Sequence, residues 1–507
     1  MVNAPIKPTA VSSVSAIIDA LDQLPAQITE VTATSREAKR GAVFLAYPGA
    51  TRDGREFIGD AILRGASAVL YEAGFAWNPD WKVPHVAVEN LKTHASLIAG
   101  HVYKNPSREL WMTGVTGTNG KTSVSQWVAQ AFELAGKKAA VLGTIGNGLV
   151  GQLSTADNTT PDAVLLQRLL REYVNAGATN CAMEVSSHGL DQGRAAEIKF
   201  DVAVFTNLTR DHLDYHGTME SYGAAKAKLF EGRALKTAVI NVDDPFGRIL
   251  AERVVAAGIE VIRFACNGGS KYANLIGTDL SVSPSGLSFT VRQLGNIKKE
   301  ARVESAILGA FNISNLLAVI GALLASGIQL DAAAHIAGEL KPVPGRMQTV
   351  RSRADSNKPL VVVDYAHTPD ALEKALSTLA AIVPDKGRLI SVFGCGGDRD
   401  RGKRPLMGAV SAKYADLNFV TSDNPRTEDP SRIIADIVPG LSGVQSRIVP
   451  DRHQAIYEAL NAAHANDIVL IAGKGHEDYQ IIGDTKHHFS DVEVAQEALA
   501  QWKGLAQ

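Results

Sequence analysis

The sequence predicts an α/β protein of three domains. Three observations carry that reading. The chain has 507 residues, which at roughly 150 residues per domain suggests about three. Short apolar runs of strand length alternate with stretches whose apolar residues recur at helical spacing. Many of the strand candidates end in polar turns, the arrangement of a mostly parallel sheet that binds ligands at the carboxyl ends of its strands.

The composition narrows the class. Apolar residues make up 45% and charged residues 21%, as expected of a soluble globular chain. A net charge of −2 gives no reason to expect nonspecific binding to nucleic acid or to a membrane. An anionic substrate must then be held by local clusters of Arg and Lys. The N-terminal residues lack the apolar segment of a signal peptide, and no run of about 18 apolar residues suggests a membrane span. Cys181, Cys266 and Cys395 are scattered and odd in number. They suggest a reducing cytoplasm, without a disulfide framework or a zinc site.

Residues 1–108 form the first expected domain. Gly41-Ala-Val-Phe-Leu-Ala46 and Ala68-Val-Leu-Tyr71 read as strands, with a helical pattern at Phe57–Leu63 between them. Thr34-Ser-Arg36 and Pro48-Gly-Ala-Thr-Arg-Asp-Gly54 are its most polar turns. Such turns hold phosphates in some proteins and are ordinary loops in others.

Residues 109–343 form the second. Leu110-Trp-Met-Thr113 reads as a buried strand, and Val124, Trp127, Val128, Ala131 and Phe132 follow at helical spacing. Between them lies Gly114-Val-Thr-Gly-Thr-Asn-Gly-Lys-Thr-Ser123. A glycine-rich turn between a strand and a helix is a phosphate cradle, because backbone N–H groups approach an anion closely and the helix dipole adds to the attraction. Lys121 would reach the terminal phosphates of a nucleotide, and the Thr122 hydroxyl would bind Mg²⁺. The spacing departs from the standard phosphate loop, with Val115 where that pattern has its first glycine. Further strand candidates are Lys138–Leu142, Asn180–Val185, Val202–Phe205 and Thr237–Ile240. Glu184 and the Ser186-Ser-His188 turn lie at or just past one strand, and Thr206 to His216 follow another. Glu184 and His212 are donors suited to a metal beside Thr122. A hydrogen-bonded turn is the other reading of His212 and His216.

Residues 344–507 form the third, after a Pro342-Val-Pro-Gly345 linker. Pro359–Asp364, Leu389–Phe393, Leu417–Thr421 and Ile468–Ala472 read as buried parallel strands. Each leads into a polar turn: Tyr365–Asp370, Gly394–Arg399, Asp423–Arg426 and Gly473–Glu477. Four polar turns on one edge of one sheet are the shape of a binding site.

Taken together, Thr116-Gly-Thr-Asn-Gly-Lys-Thr122, Asn158-Thr-Thr-Pro161, Glu184-Val-Ser-Ser-His188 and Asn207-Leu-Thr-Arg-Asp-His-Leu-Asp214 resemble the Mur ligase family of bacterial cell-wall synthesis. Ala224-Ala-Lys226, Phe311-Asn-Ile-Ser-Asn315, Pro344-Gly-Arg346, Asp364-Tyr-Ala-His-Thr-Pro-Asp370 and Asp423-Asn-Pro-Arg426 complete the series, in the family's order over essentially the whole chain. The resemblance implies a UDP-substrate-binding α/β domain, a phosphate-loop ATPase domain with a mostly parallel sheet, and a Rossmann-like domain. It also implies an ATP-dependent amide ligation through an acyl phosphate. The Asp-Asn-Pro-Arg turn is similar to that of the members adding meso-2,6-diaminopimelate to the D-glutamyl carboxylate of UDP-N-acetylmuramoyl-L-alanyl-D-glutamate.

Roles follow from the resemblance residue by residue. Gly117, Thr118, Asn119, Gly120, Lys121, Thr122 and Ser123 match the ATP phosphate loop. Asn315, Arg346 and Asp364 match positions around the base and ribose, with His367 in the same turn as Asp364. Thr122, Glu184, His212 and Lys226 match Mg²⁺ ligands, Lys226 as a carbamate. Lys121, Glu184, His212 and Lys226 are thus the expected catalytic set. Without the resemblance, Lys226 is an ordinary solvated lysine. Ser35, Thr51, Arg52, Asn158, Thr159, Thr160, Ser186, Gln192 and Arg194 match residues gripping the UDP-sugar-peptide. Ala50 stands where the family often has a more polar residue. Arg399, Asp423, Asn424, Pro425, Arg426, Gly473 and Glu477 match the diaminopimelate pocket. There Arg426 would pair the distal carboxylate and Glu477 the ammonium.

The expected partners are small molecules alone, the expected state a cytoplasmic monomer, and the third domain is expected to close on binding. Lysine or folate-linked glutamate is the alternative substrate. A nucleotide-gated regulator with a degraded site is the alternative class. The Asp-Asn-Pro-Arg turn argues against the first, and intact Lys121, Thr122, Glu184, His212 and Lys226 against the second.

Overall fold

The computed structural model describes residues 10–49, 52–156, 158–232, 234–266, 270–295, 298–350 and 357–503. The chain forms two compact units. One runs to Ile240 and includes Ile249–Val261; the other holds Asn241–Arg248 and the chain from Ile262 onward.

The first unit opens with strands β1 (Glu30–Thr32), β2 (Ala42–Ala46), β3 (Ala68–Glu72) and β4 (His85–Val88), paired in parallel in that order. Strand β2 is apolar throughout because both its faces are covered. Val43 and Leu45 pack with Ile17, Leu91 and Ile98 on one face, while Phe44 and Ala46 pack with Ile58 and Ala61 on the other. Helix Ala163–Asn175 joins this layer. Its Val164 enters the same core, and Arg171 bonds the Tyr103 and Lys104 carbonyls. That packing gathers the first sheet and the next one into a single unit.

The next sheet contains β5 (Trp111–Thr116), β6 (Ala139–Gly143), β7 (Gly146–Leu149), β8 (Gln152–Ser154), β9 (Asn180–Glu184), β10 (Val202–Phe205) and β11 (Thr237–Asn241). Their order is β11-β10-β5-β9-β6-β7-β8. Strands β11, β10, β5, β9 and β6 are parallel, and β7 and β8 are antiparallel at the edge. Strand β5 is central, with Val115 opposite Glu184 and Thr116 opposite Phe205. The strand runs further than the sequence suggested. Gly114-Val-Thr116 belongs to the ladder, so the loop starts at Gly117. Gly114 is small because a Cβ there would lie 2.9 Å from the Phe200 ring; it serves packing and not phosphate.

In the second unit β12 (Glu260–Ala265) ends beside β13 (Leu275–Ser283), with Phe264 opposite Leu275. Strands β13, β14 (Gly286–Gln293) and β15 (Lys299–Ser305) form an antiparallel meander. The sequence reading passed over it, although Leu287, Phe289 and Val291 alternate inward along β14. The last large sheet has β16 (Gln348–Thr349), β17 (Leu360–Asp364), β18 (Leu389–Phe393), β19 (Leu417–Val420), β20 (Ser446–Ile448) and β21 (Ile468–Ala472). Its order is β16-β17-β21-β18-β19-β20, parallel except for β16. Apolar layers cover both faces, and the carboxyl ends of β17, β21, β18 and β19 share one edge. A hairpin of β22 (Tyr479–Ile482) and β23 (Thr485–His488) follows, closed by the two-residue turn Gly483-Asp484.

Candidate functional site

Strand β5 delivers the loop Gly117-Thr-Asn-Gly120 to the start of helix Lys121–Leu134. Gly120 is left-handed at φ 88° and caps that helix, a conformation that costs glycine no Cβ clash. Gly117 lies so close to Thr206 Oγ1 that a side chain there would collide with it. The turn after β10 latches the loop. Asn207 accepts from Thr118 N (2.8 Å) through its carbonyl and from Asn119 N (2.9 Å) through Oδ1. Thr206 Oγ1 donates to Asn119 O at 2.6 Å. The loop is thus pre-shaped, with the Lys121 ammonium donating to the Gly117 and Thr118 carbonyls at 3.0 and 2.9 Å. Thr122 and Ser123 are buried in the first helical turn.

Glu184 ends β9 fully buried. Its Oε2 accepts from Thr122 Oγ1 at 2.9 Å and Thr144 Oγ1 at 3.2 Å, and its Oε1 from Thr144 N at 2.8 Å. A Cβ on Gly143 would overlap this carboxylate. All these partners are neutral. A buried carboxylate without a cation is costly, so oxygen atoms of Thr122 and Glu184 fit a hard divalent cation. Among the described residues no group of three His, Cys, Asp or Glu side chains is arranged to hold a metal. Ligands beyond Thr122 and Glu184 would have to include phosphate, water or a modified side chain, as suits Mg²⁺.

Lys226 lies in helix Met219–Ala227 and is 1% exposed. Its Nζ donates to Gly117 O at 2.7 Å and sits 4.3 Å from the centre of the Tyr222 ring. Burial, reinforced by the Lys121 charge and opposed by Asp211, holds its pKa well below the usual lysine value. The solvated-lysine reading is thereby excluded. His212 sits at φ 52° after Asp211, its Nε2 3.4 Å from Asp211 Oδ2. Burial keeps its pKa below the ordinary imidazole value, with Asp211 opposing. Its ring meets both His188 and Tyr222 edge-on, and the Tyr222 hydroxyl lies 3.2 Å from Thr118 Oγ1. His216 instead bonds Ser187 Oγ at 2.9 Å.

A second cluster of the first unit gathers around Thr160. Its Oγ1 donates to Glu184 O at 3.0 Å and to Ser186 Oγ at 3.1 Å. Thr159 Oγ1 is 3.0 Å from Thr144 Oγ1, and Asn158 is exposed beside them. Arg194 Nη1 donates to Thr160 O at 2.7 Å, and its Nε and Nη2 grip Gln192 Oε1 at 3.0 and 2.7 Å. The guanidinium is thus oriented by neutral acceptors. Elsewhere in this unit Ser35 is buried, in a short helical turn, and Arg52 is exposed. Thr51 lies outside the described residues.

In the second unit Asn315 is buried and donates to Asn312 Oδ1 at 2.8 Å. Arg346 stacks over Tyr365 at 4.6 Å, and Asp364 Oδ2 accepts from Met347 N at 2.7 Å. Packing raises the Asp364 carboxyl pKa, with Arg346 opposing. His367 is exposed, with Nδ1 on Tyr365 O at 2.8 Å.

The polar turns at the sheet edge form the third cluster. Arg426 is left-handed at φ 52°. The β22–β23 hairpin holds that conformation: Arg426 N donates to Ile481 O at 3.1 Å, and Gly483 N donates to Arg426 O at 2.8 Å. The Arg426 Nη1 reaches the carbonyls of Gly397 (2.9 Å) and Asn424 (3.4 Å). Arg399 is exposed. Pro425 is buried, its carbonyl against Gly397 where no side chain fits. Gly473, at φ 124°, lies against Asp423, and a Cβ there would be 2.9 Å from its Oδ2. Asn424 Nδ2 donates to Glu477 Oε2 at 2.9 Å.

Several contributors went unassigned in the sequence. Thr206 and Asp211 stand inside the Thr206–His216 segment the sequence singled out but received no role there, while Thr144 and Tyr222, which complete the surround of the loop and Lys226, carry no local signature. Lys474 is fully buried against Glu477. It stands inside a turn the sequence singled out, so position was a signal, while burial was invisible. Arg452 and Asp491 form a fully buried ion pair. Arg452 also donates to Ser422 O and Ala472 O at 3.2 and 2.9 Å, one residue before Asp423 and Gly473.

A latched glycine loop, a buried carboxylate on its threonine and a suppressed lysine define a nucleotide-using α/β enzyme. Family models match along the chain: the Mur ligase family catalytic domain over residues 27–103, the Mur ligase middle domain over 115–323, and the Mur ligase glutamate ligase domain over 345–475. The chain belongs to the Mur ligase family. It is 50% identical over 485 residues to the UDP-N-acetylmuramoyl-L-alanyl-D-glutamate--2,6-diaminopimelate ligase of Chromobacterium violaceum, covering 95% of this chain and 96% of the relative. It is 49% identical to the Neisseria meningitidis serogroup B protein of the same name, over 92% of this chain and 93% of the relative. A solved structure of a ligase of that name superposes with a TM-score of 0.68 at 38% identity, covering 94% and 95% of the two chains. A MurF ligase from Thermotoga maritima in complex with ADP shares the fold, with a TM-score of 0.64 at 18% identity over 94% and 98% of the two chains.

Proposed function

We propose that this chain is the ATP-dependent ligase joining meso-2,6-diaminopimelate to the D-glutamyl side-chain carboxylate of UDP-N-acetylmuramoyl-L-alanyl-D-glutamate, in peptidoglycan precursor synthesis. The near-full-length relatives carry that activity in their names. The observation that carries the amino-acid choice is Arg426, whose side chain meets backbone carbonyls and is held in a left-handed turn by a hairpin. A guanidinium so placed suits a carboxylate, which lysine lacks at its far end. A site built to pair a group rejects analogues without it.

The residues supply a sequence of steps. The substrate carboxylate attacks the γ-phosphorus of ATP, ADP leaves, and an acyl phosphate forms. The diaminopimelate amine adds to its carbonyl carbon, phosphate departs with the C–O bonding pair, and the amine's surplus proton is lost. Lys121 offsets the repulsion of two anions in the first step. Mg²⁺, held by Thr122, Glu184, His212 and carbamylated Lys226, would neutralise phosphate charge. The carbamate reading of Lys226 rests on the Ala224-Ala-Lys226 motif and on the burial of its amine beside Gly117, with which a pKa below the usual lysine value agrees. A neutral amine attacks the carbon of CO₂ and releases a proton, which turns a buried amine into an anionic oxygen ligand. Arg194, Gln192, Ser186 and the Asn158–Thr160 segment are assigned to the UDP-sugar-peptide, with Ser35, Thr51 and Arg52 on its uridine side. Asn315, Arg346 and Asp364 are assigned to the ATP base and ribose. The functional division proposed is 1–108, 109–343 and 344–507, in a cytoplasmic monomer.

The test is phosphate release from ATP with UDP-muramoyl-dipeptide and, in parallel, diaminopimelate, lysine or glutamate. Release with diaminopimelate alone is expected. Release with lysine alone would overturn the substrate assignment, and release with none of the three would overturn the ligase.

A further inference from the structure

We infer that Lys474 is a specificity-determining residue of the amino-acid pocket: its buried ammonium sets the charge that the pocket presents to the far end of the substrate. The inference rests on the diaminopimelate reading above. Lys474 follows Gly473 at the end of β21 with no exposed side-chain surface. Its Nζ lies 3.1 Å from Glu477 Oε2, 3.2 Å from Asn424 Oδ1 and 3.9 Å from Asp423 Oδ1. It thus touches three residues assigned to the pocket, while itself having no surface to offer a substrate.

Its first effect is geometric. Asn424 is held at both ends, because its Oδ1 accepts from Lys474 Nζ and from Ile481 N (2.9 Å) while its Nδ2 donates to Glu477 Oε2. Asn424 and Lys474 therefore fix Glu477 Oε2 from two sides. Glu477 Oε1 is left to the Tyr365 hydroxyl, at 3.5 Å. Gln480 Nε2, on the same hairpin, bonds Asp423 O at 2.6 Å.

Its second effect is the charge count. Asp423 and Glu477 are two carboxylates, and Lys474 offsets one of them. One negative charge remains for one ammonium, beside the Arg426 guanidinium, with the exposed Arg399, for one carboxylate. The far end of diaminopimelate carries one of each, whereas lysine carries the ammonium alone. Without Lys474 the pocket becomes more negative by one charge, which disfavours the diaminopimelate carboxylate and favours a purely cationic chain end.

The experiment uses the full chain with Lys474→Met and Lys474→Arg, each checked for folding by circular dichroism. Diaminopimelate is assayed as substrate, with lysine as its competitor. In Lys474→Met the KM for diaminopimelate rises about tenfold or more and lysine competes better, while the KM for ATP stays within about twofold. Lys474→Arg keeps the charge and stays nearer the wild type in discrimination. If the Met variant does not fold, Lys474→Gln replaces it with the same expectation. An equal loss for both amino acids, or an unchanged KM for diaminopimelate, overturns the inference. A wild-type enzyme that does not use diaminopimelate overturns the site reading and this inference with it.

Discussion

Replacing Asp491 by alanine leaves a guanidinium buried without its counter-ion. Arg452 and Asp491 are both 0% exposed and meet through two bonds, Nε–Oδ1 at 2.7 Å and Nη2–Oδ2 at 2.8 Å. After the change Arg452 keeps its bonds to the Ser422 and Ala472 carbonyls and the charges of Asp423 and Glu477 nearby, without a directly bonded counter-ion. Breaking a buried pair from one side costs about 3–5 kcal/mol. Local stability is read by amide hydrogen exchange in peptides spanning Ile468–Ala472. At about 1.4 kcal/mol per decade, exchange there should quicken by about a hundredfold to a few thousandfold. Arg452→Met with Asp491→Leu removes both charges together and should recover most of that loss. It should not recover the KM for diaminopimelate, since Arg452 no longer ties the chain before Asp423 and Gly473. A change below about tenfold in Asp491→Ala, or an equal loss in the double variant, would refute the reasoning.

Three further outcomes are expected. Carbon-13-labelled bicarbonate should give a carbamate resonance in the wild-type protein that Lys226→Arg lacks, and Lys226→Arg should lose phosphate release; a resonance of equal intensity in both would remove Lys226 as its site. Arg426→Ala should raise the KM for diaminopimelate at least about tenfold, as for a lost charge-assisted fork, while ATP affinity measured by calorimetry stays unchanged; parallel loss of both would contradict the assigned role. Arg404, with Asp398 N, holds the Glu428 carboxyl down to about 2. A depressed carboxyl stabilises the fold above its unfolded pKa of about 4.3, and that contribution is lost as the pH falls towards 2. Acid unfolding of Glu428→Gln should therefore be flatter than wild type across that window, and superimposable curves would exclude the linkage.

Much of the fold was legible because parallel strands buried on both faces leave continuous apolar runs. Those in β2, β9, β17, β18 and β21 sit where the sequence put them, within a residue or two. The meander of β13 to β15 was harder. Its strands are half-exposed, so Leu287, Phe289 and Val291 alternate with polar residues and produce no run. The β22–β23 hairpin went unread, because its short, largely exposed strands give no apolar run. Within the site, Lys121, Thr122 and Glu184 were readable because a strand, a tight turn and a helix fix them locally. The buried state of Lys226 was not, since it depends on Gly117 and Tyr222 closing around it. Lys474 and the Arg452–Asp491 pair were hidden for the same reason: a charge is called buried only once its surroundings are known, and those come from segments far away in the chain.

The central claim is an amide bond made through an acyl phosphate. It is tested most directly by labelling both side-chain carboxylate oxygens of the D-glutamyl residue with oxygen-18 and following the label through one turnover with ATP and diaminopimelate. The account has one labelled oxygen leave in each phosphate released, with the other retained in the new amide. Phosphate free of label, beside an amide product, would contradict it.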